Sequence, residues 1–168
     1  SYILSKNFTL RFGKFLTPFG IFVERLHPAW IDKFASKPLG LGHDGILPSS
    51  DIGFEIRGGS HLGPMKINYA AFVANGPALN EGETEPEEAG KLIFGNFPNN
   101  NKNLSYGGRL GILPFTNSSL EIGLSGLYGK AGGHDYEDIA AQLYAVDLTF
   151  VKNLNFMKSV LDIKGQYS

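Results

Sequence analysis

The chain has 168 residues, a formal net charge of −1, 22 glycines, 13 phenylalanines and no cysteine. That length gives room for one domain with a real core. The balanced charge leaves no basic footprint for nucleic acid, and the missing cysteines exclude disulfides and thiolate metal sites. Mean hydropathy is close to zero, and no run approaches the roughly 18 apolar residues of a membrane-spanning helix.

Period-two alternation runs along most of the chain, with apolar and polar side chains sent to opposite faces of a strand. It predicts about seven strands. The first, near Phe8–Phe15, sets Phe8, Leu10 and Phe12 against Thr9, Arg11 and Gly13. A long segment, 16–50, follows. The second strand, Asp51–Gly58, sets Ile52, Phe54 and Ile56 against Gly53, Glu55 and Arg57, and closes in a turn from Gly58 to Pro64. The third, Met65–Ala74, turns Ile67, Tyr69 and Val73 away from Lys66, Asn68 and Phe72. After a second long segment, 75–102, come Asn103–Leu113, Leu120–Gly129, Ala141–Val151 and a strand from Phe156 onward. The links within this last group are 114–119, 130–139 and 152–155.

The links read long, short, long, short, medium, short. Consecutive antiparallel strands put alternate links at opposite ends, so the long ones gather at one end and the short ones at the other. Transmembrane β-barrels have this asymmetry. A soluble β-sandwich shares the period of two, because its strands are also half buried. The pattern favours an all-β, antiparallel transmembrane barrel, with 1–168 as a single barrel segment. Seven strands with open edges would leave backbone groups unpaired in lipid. The chain begins Ser1-Tyr-Ile-Leu without Met or an apolar leader, and alternation continues to its last residues. The expectation is therefore a segment of a longer protein.

The polar face carries the candidate pore lining: Arg11, Glu55, Arg57, Lys66, Asn68, Arg109, Glu121, Asp147, Asp162 and Lys164. A ring of one sign gives charge selection. These signs are mixed, which predicts a weakly selective, water-filled channel, or pairs that merely hold the wall. The segment 16–50, a long external or constriction loop, is too apolar for a solvated loop. Pro28 can open a short helix. Phe19, Phe22, Trp30, Ile31 and Phe34 are its candidate constriction or docking residues. The segment 75–102, with Glu81, Glu83, Glu85, Glu87 and Glu88, reads as a solvated acidic external loop; it lacks the spacing of an EF-hand.

Catalytic constellations are thin. His27, His43, His61 and His134 fall in predicted loops or turns, and none has the spacing of a zinc protease or similar metal site. The expectation is no enzyme activity, no catalytic residue, no metal and no cofactor.

Arg11-Phe-Gly-Lys-Phe-Leu-Thr-Pro-Phe-Gly20 and Glu24-Arg-Leu-His-Pro-Ala-Trp30 resemble the early segment of outer-membrane porins of the Bacteroidota type, which are distantly similar to phosphate-selective porins. Asp51–Gly58 and Asn68–Gly76 are similar too; beyond roughly the first 80 residues the likeness is only one of pattern. The resemblance implies a barrel of about 16 strands in a full chain more than twice this length. The family's phosphate selectivity rests on closely spaced arginines and a lysine ladder. This chain has no such cluster, so that property does not carry over.

The expected function is passive diffusion of small hydrophilic solutes or ions through a bacterial outer membrane. Expected partners are outer-membrane lipid and lipopolysaccharide, with homo-oligomers or surface-complex proteins beside them, and no nucleic acid. Two alternatives stay open. One is a barrel scaffold in a surface complex, docking through Phe19–Phe34. The other is a soluble β-sandwich that stacks sugars on Trp30 or Tyr136.

Overall fold

The structure, a computed structural model, describes residues 1–26, 40, 47–82, 86–94, 103–133 and 138–168. Within them the protein is all-β. The strands are β1 (Tyr2–Ser5), β2 (Phe8–Leu16), β3 (Ser50–Leu62), β4 (Met65–Ala74), β5 (Ala78–Leu79), β6 (Leu92–Ile93), β7 (Ser105–Leu113), β8 (Leu120–Lys130), β9 (Ala140–Leu154) and β10 (Ser159–Tyr167). Eight of them form one sheet in the order β1-β2-β3-β4-β7-β8-β9-β10, and β5 pairs with β6 alone. Every pairing is antiparallel between strands that follow each other in this series. The short links 6–7, 63–64, 114–119 and 155–158 therefore share one end, and the long ones share the other.

The expected count of seven strands is corrected to eight in the main sheet. The added one is β1, whose Tyr-Ile-Leu-Ser is too short and too uniformly apolar to show alternation. Two boundaries also move. The turn expected from Gly58 is strand as far as Leu62, because Gly58 to Leu62 stay in register with Tyr69 to Met65. The turn itself is Gly63-Pro64, with Gly63 at φ +61°. At the other hairpin, Lys152 to Leu154 extend β9 against Leu161 to Ser159, which moves the turn to 155–158. Within the acidic segment the described residues include the β5–β6 pair, a 3₁₀ turn at Pro86–Glu88 with Pro86 and Glu87 exposed, and a Glu88–Lys91 ion pair at 2.8 Å. Glu83 and Glu85 lie outside the described residues.

The sheet curls. Ile21 is five residues beyond the end of β2, yet its N–H donates to Gln166 Oε1 on β10 at 3.0 Å. In a flat sheet β10 would lie six strand spacings, about 29 Å, from β2. Five extended residues reach at most about 18 Å, so even a glutamine side chain does not close the gap. The strands must bend round to enclose the 17–26 segment.

Burial divides the two faces in reverse of a soluble protein. The large apolar side chains of the outer face are exposed: Phe12 by 76%, Tyr144 by 70%, and Phe54, Leu110, Leu124 and Leu148 by lesser amounts. The inner face buries Glu55, Asp147, Asp51, Ser105, Arg109, Glu121 and Ser125. A small apolar cluster of Phe15, Phe19, Phe72, Ala74, Leu127 and Ala145 also lies in the concavity, where Phe15, Phe72 and Ala74 share rungs with Asp51, Glu55 and Ser105. The Phe15 and Phe72 rings meet edge-on with centroids 6.1 Å apart.

Candidate functional site

The inner face is built from two charge clusters and one inserted segment. Alternation sets the face of each side chain, and the pairing register sets its neighbours. Arg11 pairs across to Glu55, and Thr9 to Arg57, so Arg11, Glu55 and Arg57 project to the same side. Further along, Ala70 pairs with Arg109, Arg109 with Ser125, and Gly123 with Asp147. These rungs bring Asn68, Arg109, Glu121 and Asp147 together on the inner face.

Arg109 is the hub of the second cluster. Its Nε donates to Asp147 Oδ2 at 2.9 Å, and its Nη2 donates to Asp147 Oδ1 at 2.5 Å and to Glu121 Oε1 at 3.1 Å. Nη1 reaches Asn68 Oδ1 at 3.2 Å and Glu121 Oε1 at 3.1 Å. Asn68 Nδ2 closes the ring onto Glu121 Oε1 at 3.1 Å. All of this lies over a floor of glycine. A Cβ on Gly111 would run into Asn68 Oδ1 and Glu121 Oε1, and one on Gly123 into Asp147 and Arg109 Nη2. The Gly-rich strands β7 and β8 are therefore shaped to their charged neighbours.

The first cluster is looser and less well aligned. Glu55 is wholly buried, with Arg11 Nη1 at 2.9 Å and Arg57 Nε at 3.3 Å from its oxygens. These contacts lack hydrogen-bond alignment. They act through charge, in surroundings where an unpaired carboxylate would be costly.

The inserted segment joins the two clusters. Thr17 to Val23 are all buried, and a single π-helical turn, Phe22–Leu26, presents Glu24 and Arg25 to opposite walls. Glu24 receives both terminal nitrogens of Arg57 at 2.9 Å and stands 3.6 Å from Arg11. Arg25 donates to both oxygens of Glu121, at 2.7 and 2.9 Å. Two-pronged pairs of this kind fix geometry as well as charge. Behind them Gly20 N–H donates to Ser125 Oγ at 3.0 Å, and Ile21 and Phe22 N–H both donate to Gln166 Oε1. A cavity of about 370 Å³ remains between the segment and β3, β4 and β7, bordered by Thr9, Glu24, Arg25, Arg57, Asn68 and Arg109. Its walls are hydrogen-bonding and charged, with opposite signs set side by side, so it suits water and small hydrophilic solutes.

Of the residues expected to line a lumen, Arg11, Glu55, Arg57, Asn68, Arg109, Glu121 and Asp147 belong to these clusters. Lys66 stands apart, donating to Ser118 Oγ at 2.9 Å. Asp162 and Lys164 pair with each other on β10. Phe19 and Phe22 are buried against the inner face. Trp30, Ile31, Phe34, Tyr136, His27, His43 and His134 lie outside the described residues; His61 is exposed near the Gly63-Pro64 turn.

Sequence reasoning missed Glu24, Arg25, Ser125 and Gln166 as site residues. The signal for the first two was the apolar run Thr17-Pro-Phe-Gly-Ile-Phe-Val23, which needs burial and so carries the next two charges inward. Alternation puts Ser125 and Gln166 on the polar face, but nothing local marks them as partners of the inserted segment. No family model, curated protein or solved structure matches this chain.

Proposed function

We propose that this sheet is part of the wall of a bacterial outer-membrane β-barrel, a porin for passive diffusion of small hydrophilic solutes. The observation that carries the reading is the reversal of the two faces. Large aliphatic and aromatic side chains stand exposed on the outer face, while carboxylates and guanidinium groups are buried on the inner one. In water that arrangement exposes far more contiguous apolar surface than a monomer tolerates. In lipid it is the ordinary condition of a barrel wall.

Within this reading the mixed, paired charges leave no ring of one sign, which fits weak charge selection. The Thr17–Leu26 segment narrows the lumen from the β2–β8 side. Among the described residues β1 and β10 each pair on one side only. A closed wall joins further strands to both edges, and the resemblance of the early segment points to about 16 in all. No covalent chemistry is needed.

A second reading, a barrel serving as scaffold in a surface complex, is favoured by one observation. Phe15, Phe19, Phe72 and Leu127 pack into the concavity as a core, and a packed interior conducts poorly. Planar-bilayer recording of the full protein separates the two. Discrete conductance steps are expected of the porin. A folded, bilayer-inserted barrel that passes no current would leave the scaffold, and a folded monomer soluble without detergent would remove both.

A further inference from the structure

The exposed apolar band on the outer face does not follow the rungs of the sheet. In β3 it consists of Ile52, Phe54 and Ile56; Gly58 and Ser60 follow. From Phe54 the rungs lead through Val73, Tyr106 and Tyr128 to Gln142. Gln142 is exposed and polar, and lies outside the apolar run of its own strand, which is Tyr144, Val146, Leu148 and Phe150. In β10 the run is displaced further toward the short links, as Leu161, Ile163 and Tyr167. Between Ile56 on β3 and Ile163 on β10 the band slips by about six residues in rung register across five strand spacings. That is about 20 Å along the strands against about 24 Å across them. A band that is level in space requires strands tilted by about 40° for this to happen, the tilt typical of transmembrane barrels.

The width agrees. In β9 the run is bounded by Gln142 on one side and Lys152 on the other. Ten residues are about 33 Å along a strand. At that tilt the height is about 25 Å, matching the apolar band of an outer-membrane barrel. Lys14 on β2 and Lys130 on β8 sit just beyond Phe12 and Tyr128, at the edge toward the long links.

We propose that the outer face contacts lipid acyl chains along an oblique belt, with the bilayer mid-plane passing through Ile56, Ala71, Leu110, Leu124, Leu148 and Ile163. This rests on the membrane-wall reading and adds to it the position of the bilayer on each strand. A slanted, level-sided belt is what a planar slab cuts from tilted strands. A protein partner has no reason to impose a constant height across six of them.

The chain has no cysteine, so single cysteines at outer-face positions give unique labelling sites. The test places a bimane probe at Ile56, Tyr144 or Ile163 in the full protein, reconstituted in phosphatidylcholine vesicles, and measures depth by brominated-lipid quenching. Ile56 and Ile163 should be equally deep, although they are three outward positions apart in rung register. Tyr144, on the same rung as Ile56, should lie shallower by about 10 Å. Ala71 and Leu148, likewise equal in depth, form a second pair should one variant fail to fold. Depths that follow the rungs, with Ile56 and Tyr144 level, would overturn the oblique belt. Absence of quenching at every site would overturn the membrane wall itself.

Discussion

Glu24 and Arg25 are neighbours in the chain but hold opposite walls. Glu24 grips Arg57 on β3, and Arg25 grips Glu121 on β8. Two adjacent side chains thus span a curled sheet and pin the Thr17–Leu26 segment at its polar end. The segment's other end is held by apolar packing and by backbone donors to Ser125 and Gln166. Replacing Arg25 with Gln removes one pin and leaves Glu121 to Arg109 and Asn68. The pairwise coupling from a double-mutant cycle of Glu24→Gln with Arg57→Gln should be about 1–3 kcal/mol. Releasing both pins in Glu24→Gln/Arg25→Gln should raise single-channel conductance above wild type.

Arg109 carries the opposite risk. It is the shared cation of Glu121 and Asp147, both buried. Arg109→Met strands the buried Asp147 carboxylate, while Glu121 keeps Arg25 and Asn68, and should cost about 3–5 kcal/mol. Adding Asp147→Asn should recover part of that loss. The check is the urea midpoint of refolding into detergent micelles; an Arg109→Met variant as stable as wild type would show that the cluster is well hydrated.

The glycines divide by what lies over them. Gly123→Ala drives a methyl into the Asp147 carboxylate and the Arg109 guanidinium, whereas Gly126→Ala meets nothing nearer than the Tyr144 ring at 3.8 Å. The first should destabilise by about 1–3 kcal/mol, and the second should stay within about 0.5 kcal/mol. The same unfolding measurement compares them. Equal effects would mean that the network can move off its floor at little cost.

Polarity on the outer face should be penalised by depth. Leu124→Arg, at the middle of the belt, should cost about 2–4 kcal/mol in bilayer refolding, and Gln142→Arg, at its edge, about 0–1 kcal/mol. Refolding equilibria in short-chain lipid vesicles give both numbers. A tolerated Leu124→Arg would argue that this face does not meet lipid.

Much of the sheet was legible because alternation is a local signal. Ile122, Leu124 and Ser125 can be sorted to faces from three or four neighbours, and the pairing register keeps that sorting through the Gly-rich strands β7 and β8. Which face is buried does not follow from alternation itself; the sorting of long and short links by end carried that choice. Period two says only that the faces differ, and a sandwich and a barrel share it. The strand ends slipped where sequence and register part: Gly58-Gly-Ser looks like a turn, yet continues to pair with Ile67 to Tyr69. The site was half legible. Arg11, Glu55, Arg57 and Arg109 follow from alternation. Their partners on the inserted segment do not, because Arg25 and Glu121 are 96 residues apart and no local pattern joins them.

The strand order is strictly sequential, and that constrains how the molecule can be assembled. Every strand of the main sheet pairs only with its neighbours in the series, so the sheet can grow hairpin by hairpin, each step closing a modest loop. The inserted segment is the exception. Gly20 waits for Ser125, Arg25 for Glu121 and Ile21 for Gln166. Those anchors do not stand together until β8 and β10 have joined the sheet. A segment preceded only by β1 and β2 is thus the last to find its seat, and its docking reports that the far side of the sheet is already in place.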